Sequence, residues 1–182
     1  TQAVITEPTE LIISSITSPS LNGFELDCNG DNDGEVFLTT SGGVAIATYL
    51  WSNTETTQDL SGLTAGTYSV TVTDINDCAV QGSITLNEPI VALYSSSTTS
   101  DNSGYGVSCF GGNDGTATAQ GFDGTPAYTY SWNTTPIQST PQAADLSAGT
   151  FICTVTDANG CTDFTQAVIT EPTELIISSI TS

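Results

Sequence analysis

The first eighteen residues, TQAVITEPTELIISSITS, recur letter for letter as residues 165–182, a period of 164. A fixed period decides architecture before any single residue does, because each copy must be a unit that packs against the next. Inside this long period lies a looser one of about half the length. Cys28, Asn32-Asp33-Gly34 and Trp51 return 81 residues later as Cys109, Asn113-Asp114-Gly115 and Trp132. Leu63-Thr-Ala-Gly-Thr-Tyr68, Asp74 and Cys78 return 83 residues later as Leu146-Ser-Ala-Gly-Thr-Phe151, Asp157 and Cys161. The two extra residues fall between Trp132 and Leu146, where Pro136 and Pro141 mark a loop.

Each copy closes on Glu-Pro, at Glu7-Pro8, Glu88-Pro89 and Glu171-Pro172. Proline has no amide proton to give to a ladder and suits the end of a strand. The next apolar run starts almost at once, with Leu11 to Ile13 and Val91 to Leu93, and no Gly/Ser linker intervenes. The expected organisation is two β-domains of about 82 residues, 9–89 and 90–172. Residues 1–8 read as the last strand of a preceding copy and 173–182 as the first strand of a following one, so the chain reads as part of a longer tandem array. The junctions are expected to be short and stiff.

Charge removes whole classes of function. The 182 residues hold 20 Asp plus Glu and no Lys, Arg or His, a formal net charge of −20. Neutralising phosphates takes Lys and Arg, so neither nucleic acid nor an anionic membrane surface is an expected partner. Without His or Lys the chain lacks the side chain that titrates near neutrality and the amine of Schiff-base chemistry, and no enzymatic role is expected. No apolar run approaches the ~20 residues needed to span a bilayer, so no membrane insertion is expected either. Disorder is not implied, because apolar types make up 37% of the chain and fall in alternating runs such as Tyr68 to Val72, the signature of a half-buried strand.

The first half yields about seven such runs, near 10–17, 22–28, 35–40, 44–52, 55–60, 66–74 and 78–87. Short strands at this spacing, with no sustained 3.6-residue period, indicate an all-β fold of two sandwich modules. Tyr49 and Trp51 match Tyr130 and Trp132, whereas Leu50 between them matches Ser131, so the aromatic parity is the expected core face. The competing reading makes Tyr128, Tyr130 and Trp132 an exposed platform for stacking on sugar, which would make the chain a carbohydrate-binding module with surface glycans as partners.

Cys-x-Gly-x-Asn-Asp-Gly, then a Tyr-x-Trp strand, then Leu-Ser-Ala-Gly-Thr-Phe-x-x-Thr-Val-Thr-Asp-Ala-Asn-Gly-Cys, closing on Ile-Thr-Glu-Pro, resemble the SprB-type repeats of giant cell-surface gliding adhesins in the Bacteroidota. The resemblance spans essentially the whole chain, twice. It implies immunoglobulin-like modules in tandem on an extracellular surface filament, with a structural and adhesive role, neighbouring copies as partners along the chain and laterally, and no catalytic residues. The first half departs from the pattern at Cys28 to Gly34, which is richer in acid, and at Ile75-Asn76-Asp77 in place of Ala-Asn-Gly.

Four of the five cysteines sit at matching places and read as one bridge per domain, Cys28 with Cys78 and Cys109 with Cys161. Such bridges would lock each module, worth roughly 2–4 kcal/mol for loops of this length. Free thiols or a metal site are the alternative, but metal binding wants close Cys-x-x-Cys spacing or His. Cys153 stands at the place of Val70 and reads as a buried free thiol acting as a small hydrophobe. Asn29, Asp31 and Asp33 have the oxygen spacing that opens a calcium loop, making Ca²⁺ a candidate ligand, although Thr40 stands where a bidentate Glu belongs. The alternative is a turn in which Asn, Asp and Gly accept left-handed geometry. Asp74 with Asp77 is a weaker candidate of the same kind. No cofactor is required by any of these readings. Asn133-Thr-Thr135 fits the N-glycosylation acceptor pattern.

Overall fold

The computed structural model describes residues 2–178, the side chain of Ala47 excepted. The chain divides into two compact units, Thr1–Ile90 and Val91–Ser182. The first holds β1 (Ile12–Thr17), β2 (Gly34–Ser41), β3 (Ile46–Trp51), β4 (Leu60–Leu63), β5 (Gly66–Asp74) and β6 (Ala79–Leu86). The second holds β7 (Tyr94–Thr99), β8 (Gly115–Phe122), β9 (Thr129–Trp132), β10 (Gln142–Leu146), β11 (Gly149–Thr156) and β12 (Thr162–Ile169).

Each unit is a sandwich of two three-stranded antiparallel sheets, of the immunoglobulin-like kind. In the first unit the orders are β1-β2-β4 and β3-β5-β6, and in the second β10-β8-β7 and β12-β11-β9. Alternation places the core. Along β2, Val36 and Leu38 are buried while Glu35 and Phe37 face out, and along β5, Val70 and Val72 are buried opposite them. The second unit repeats this with Ala117 and Ala119 on β8 and Cys153 and Val155 on β11. Both tryptophans are buried, and Leu50 beside Trp51 is exposed. Each indole N–H still finds an acceptor, as a buried one must. Trp51 Nε1 donates to the Thr57 carbonyl at 2.9 Å and Trp132 Nε1 to that of Thr140 at 3.2 Å.

Among the described residues of the first unit six strands form where seven runs were expected. The run 22–28 makes no ladder. Asn22 and Gly23 take positive φ, Leu21 and Phe24 close a tight turn, and Glu25 and Leu26 then donate their N–H groups to the Asn87 carbonyl just beyond β6, while Asn87 donates its N–H and side-chain amide to Glu25 Oε2. Leu26 is nevertheless fully buried, so the apolar signal marked a core residue and not a strand. The run 55–60 is likewise displaced, its strand forming at Leu60–Leu63.

Candidate functional site

Among the described residues the expected calcium ligands Asn29, Asp31 and Asp33 belong to no group of three or more Asp, Glu, Cys or His that could hold a metal. The features repeated residue for residue lie instead at the two ends of each sandwich. The leading end is where the chain enters the module, and the trailing end is where it leaves after the last strand.

The leading end is organised by a buried aspartate. In the first unit Asp74 closes β5 and is 2% exposed. Its Oδ1 accepts the N–H groups of Asn76 at 2.8 Å and Cys78 at 3.0 Å, and its Oδ2 accepts that of Val44 at 3.1 Å. Asp157 does the same in the second unit, with Asn159 and Cys161 at 2.9 Å and Thr125 at 2.8 Å. One carboxylate thus shapes the turn that presents a cysteine and ties it to the loop from the facing sheet. Burial pushes the Asp74 carboxyl up, but the N–H groups of Cys78, Val44 and Asn76 outweigh it and hold it below the ordinary value.

The trailing end is built around the loop that carries the other cysteine. The glutamate of Glu-Pro reaches back into it. Gly30 N–H donates to Glu88 Oε2 at 2.5 Å, and Gly111 N–H donates to Glu171 Oε2 at 2.8 Å. A second acid staples the loop from within, with Asp33 Oδ2 accepting Asp27 N–H at 3.3 Å and Asp114 Oδ1 accepting Ser108 N–H at 3.0 Å. The Ser108 bonds, side chain and backbone, hold the Asp114 carboxyl below its ordinary value against a smaller opposing effect of burial.

These arrangements answer the site expectations one by one. Asn29 spends its side-chain amide on the Pro89 carbonyl at 2.8 Å, and Asp33 is the loop staple just described. Asp31 is exposed, its N–H turned to the Cys28 carbonyl at 3.3 Å. Among the described residues no group of three or more Asp, Glu, Cys or His stands close enough together to hold a metal. Trp132 offers no face to a sugar because it is buried, and Tyr128 and Tyr130 are half-buried against the same core, with the Tyr128 hydroxyl donating to the Asp123 carbonyl at 2.6 Å. Asn133 is exposed, and its Oδ1 accepts Ile152 N–H at 2.8 Å, adding a rung beyond β9. Cys153 is a free thiol, fully buried, and burial pushes its pKa up.

The expected bridges within the modules are corrected. Cys28 and Cys161 are disulfide-bonded, but Cys78 and Cys109 are free, so neither Cys28–Cys78 nor Cys109–Cys161 is formed. The reason lies in the strand between each pair. Cys78 precedes β6, whereas the Cys28 loop bonds to Asn87, Glu88 and Pro89 just beyond it. Eight residues at about 3.3 Å each separate the two positions by roughly 25 Å, while a disulfide needs Cα atoms within about 7 Å. Cys161 and Cys109 flank β12 in the same way. Equivalence of the cysteines was legible in the sequence, and their opposite poles were not. Asp157, Glu88 and Glu171 were visible only as repeated letters near Cys and Pro, and Asp74 only as a weak calcium candidate with Asp77.

No curated protein matches the chain. Among solved structures, the crystal structure of murine CEACAM1b is similar at 13% identity and a TM-score of 0.29, over 78% of this chain and 93% of that one. The SprB repeat family model matches residues 25–56 and 106–135. Each match begins in the trailing-end loop and runs through the second and third strands of its own sandwich, so there is one match to that family per module.

Proposed function

We propose that the chain is a stretch of a longer tandem array in an extracellular bacterial surface filament, where it acts as a structural and adhesive spacer. SprB repeats belong to cell-surface proteins, and two of them stand in tandem here. Among the described residues no helix is long and apolar enough to cross a membrane. The role is mechanical: ladders resist extension, short junctions transmit force, and the −20 charge keeps a long polymer soluble.

One observation carries this reading. The duplicated segment adopts two different states. As residues 165–169 it is part of β12, with Ile169 2% exposed, whereas residues 2–5 of its first copy form no strand and Ile5 is 95% exposed. The following stretch behaves in reverse, with Leu11 8% exposed ahead of β1 and its copy Leu175 96% exposed. Residues 179–182 lie outside the described residues. Each uncovered segment has the sequence of one that is covered in the other module, which supports the reading that it belongs to a further copy. A preceding and a following copy would bury both.

Surface material boiled in denaturant and reductant tests the array. It is expected to run far above the 18.7 kDa of this chain. A ladder collapsing to about that mass would instead mean separate subunits that exchange an end strand, as in donor-strand assembly, and would overturn the covalent array.

A further inference from the structure

Every sandwich carries one cysteine at each pole, and its last strand holds the two apart. We propose that the disulfides of the array run between successive modules, from the trailing-end cysteine of one to the leading-end turn cysteine of the next. Cys109 and Cys78 are then halves of such bonds, with partners in the copies that follow and precede this chain. The inference rests on the tandem-array reading and deepens it by naming the covalent contact between copies.

Three observations support it. A bond within a module is excluded by the length of β6 and β12. The oxidised cysteines are one of each kind, Cys28 at a trailing end and Cys161 at a leading end, and they belong to successive modules. The free ones complete the set, Cys109 at the trailing end of the second module and Cys78 at the leading end of the first, and both are exposed. Their scaffolds match those of their bonded equivalents. The Asp74 carboxylate accepts the Cys78 N–H as Asp157 accepts that of Cys161, and Glu171 holds the Cys109 loop as Glu88 holds the Cys28 loop. The equivalent residues Cys28 and Cys161 are each disulfide-bonded in the same chain.

The chemistry balances with one external oxidant. A Cys109 thiolate attacks a disulfide carrier of the secretory compartment, protein or small molecule, and displaces one of its sulfurs. The Cys78 thiolate of the next copy then resolves the mixed disulfide. One S–S bond forms, two thiol protons leave, and two electrons reduce the carrier to its dithiol. Cys153 takes no part, being buried in the core on β11, between β9 and β12, where its register partners are Trp132 and Thr165.

The test is a head-to-tail extension of this chain by one further 164-residue period, made in an oxidising compartment beside the 182-residue chain itself. Both are alkylated, digested without reductant by an enzyme that cuts at acidic residues, and mapped. Trypsin has no site, since there is no Lys or Arg. The 182-residue chain is expected to show Cys78 and Cys109 alkylated. The extended chain is expected to gain a Cys109–Cys78 linked peptide, which Cys109→Ser in the first period alone should abolish while circular dichroism stays unchanged. Alkylated Cys78 and Cys109 throughout the extended chain, or a Cys28–Cys78 or Cys109–Cys161 peptide, would overturn the inference. The array reading survives such a failure, because it is judged by mass after boiling in reductant, where no disulfide counts.

Discussion

A carboxylate removed from water must be met by donors, and in a chain without a single cation those donors can only be backbone and neutral side-chain groups. Asp74 and Asp157 meet this condition with three N–H groups each, two of them from the residues two and four further on and the third from a loop of the facing sheet. The pH dependence follows with a definite sign. A carboxyl held below its ordinary value of 3.8 in the folded state adds stability that is present above that value and is lost as pH falls through the folded pKa. Repulsion among the surface carboxylates has the opposite sign, since acid relieves it. Comparing Asp74→Asn with the parent chain separates the two. The substitution is expected to lower the melting temperature of the first module at neutral pH, because Asn presents one acceptor oxygen where three N–H groups converge on two. The difference from the parent should shrink as pH drops below about 3.8. A difference that stays constant down to pH 2 in thermal melts would show that the charge of Asp74 contributes nothing.

Strand approach explains the glycine of the Asn-Asp-Gly motif. Gly34 opens β2 opposite Leu63, and Gly115 opens β8 opposite Leu146. A Cβ on Gly34 would stand 2.8 Å from the Leu63 carbonyl oxygen, and one on Gly115 2.7 Å from that of Leu146. Gly34→Ala is expected to cost about 1–3 kcal/mol by forcing the β2–β4 pair apart, while Glu35→Ala, exposed on the same strand, should stay within about 0.5 kcal/mol. Urea unfolding of both variants checks this, and equal costs would remove the packing account. The same element shows why some of the fold could be read in advance and some could not. Period-2 alternation identified β2, β5 and β6 and the inward face of Trp51, because burial of one sheet face is written into the letters themselves. Asn-Asp-Gly pointed to a turn or a calcium loop, because sequence does not show that Asp33 and Asp114 bond back to their own loops, or that another strand's carbonyl crowds the glycine. The segment Gln-Ala-Val-Ile, at 2–5 and 166–169, is the clearest limit. Identical residues form β12 in one place and no strand in another, so the strand is decided by the neighbours it has and not by its propensity.

At the scale of the array, the cysteine positions decide which parts of the chain can carry load. A force entering a module passes along the segment from residue 9 to the trailing-end cysteine at 28. With the proposed bond to the leading-end cysteine of the next module it would cross to residue 161 and leave through residues 161–172. Everything between the two bonded positions lies outside this path and cannot be drawn out, however weak its own sheets are. About 32 residues of each 164-residue period then bear the tension, so the greatest extension of the oxidised array is about one-fifth of that of the reduced one, at the ~3.5 Å per residue of an extended chain. Bonds confined within modules predict a different pattern. With Cys28 joined to Cys78 and Cys109 to Cys161, about 100 residues per period would be shielded and roughly two-fifths of the extension would remain. Single-molecule stretching of a multi-period array, before and after reduction, measures this ratio. A value near one-fifth fits load running through the module ends. A value near two-fifths, or no change on reduction, would return the disulfides to the interior of the modules or remove them from the load path altogether.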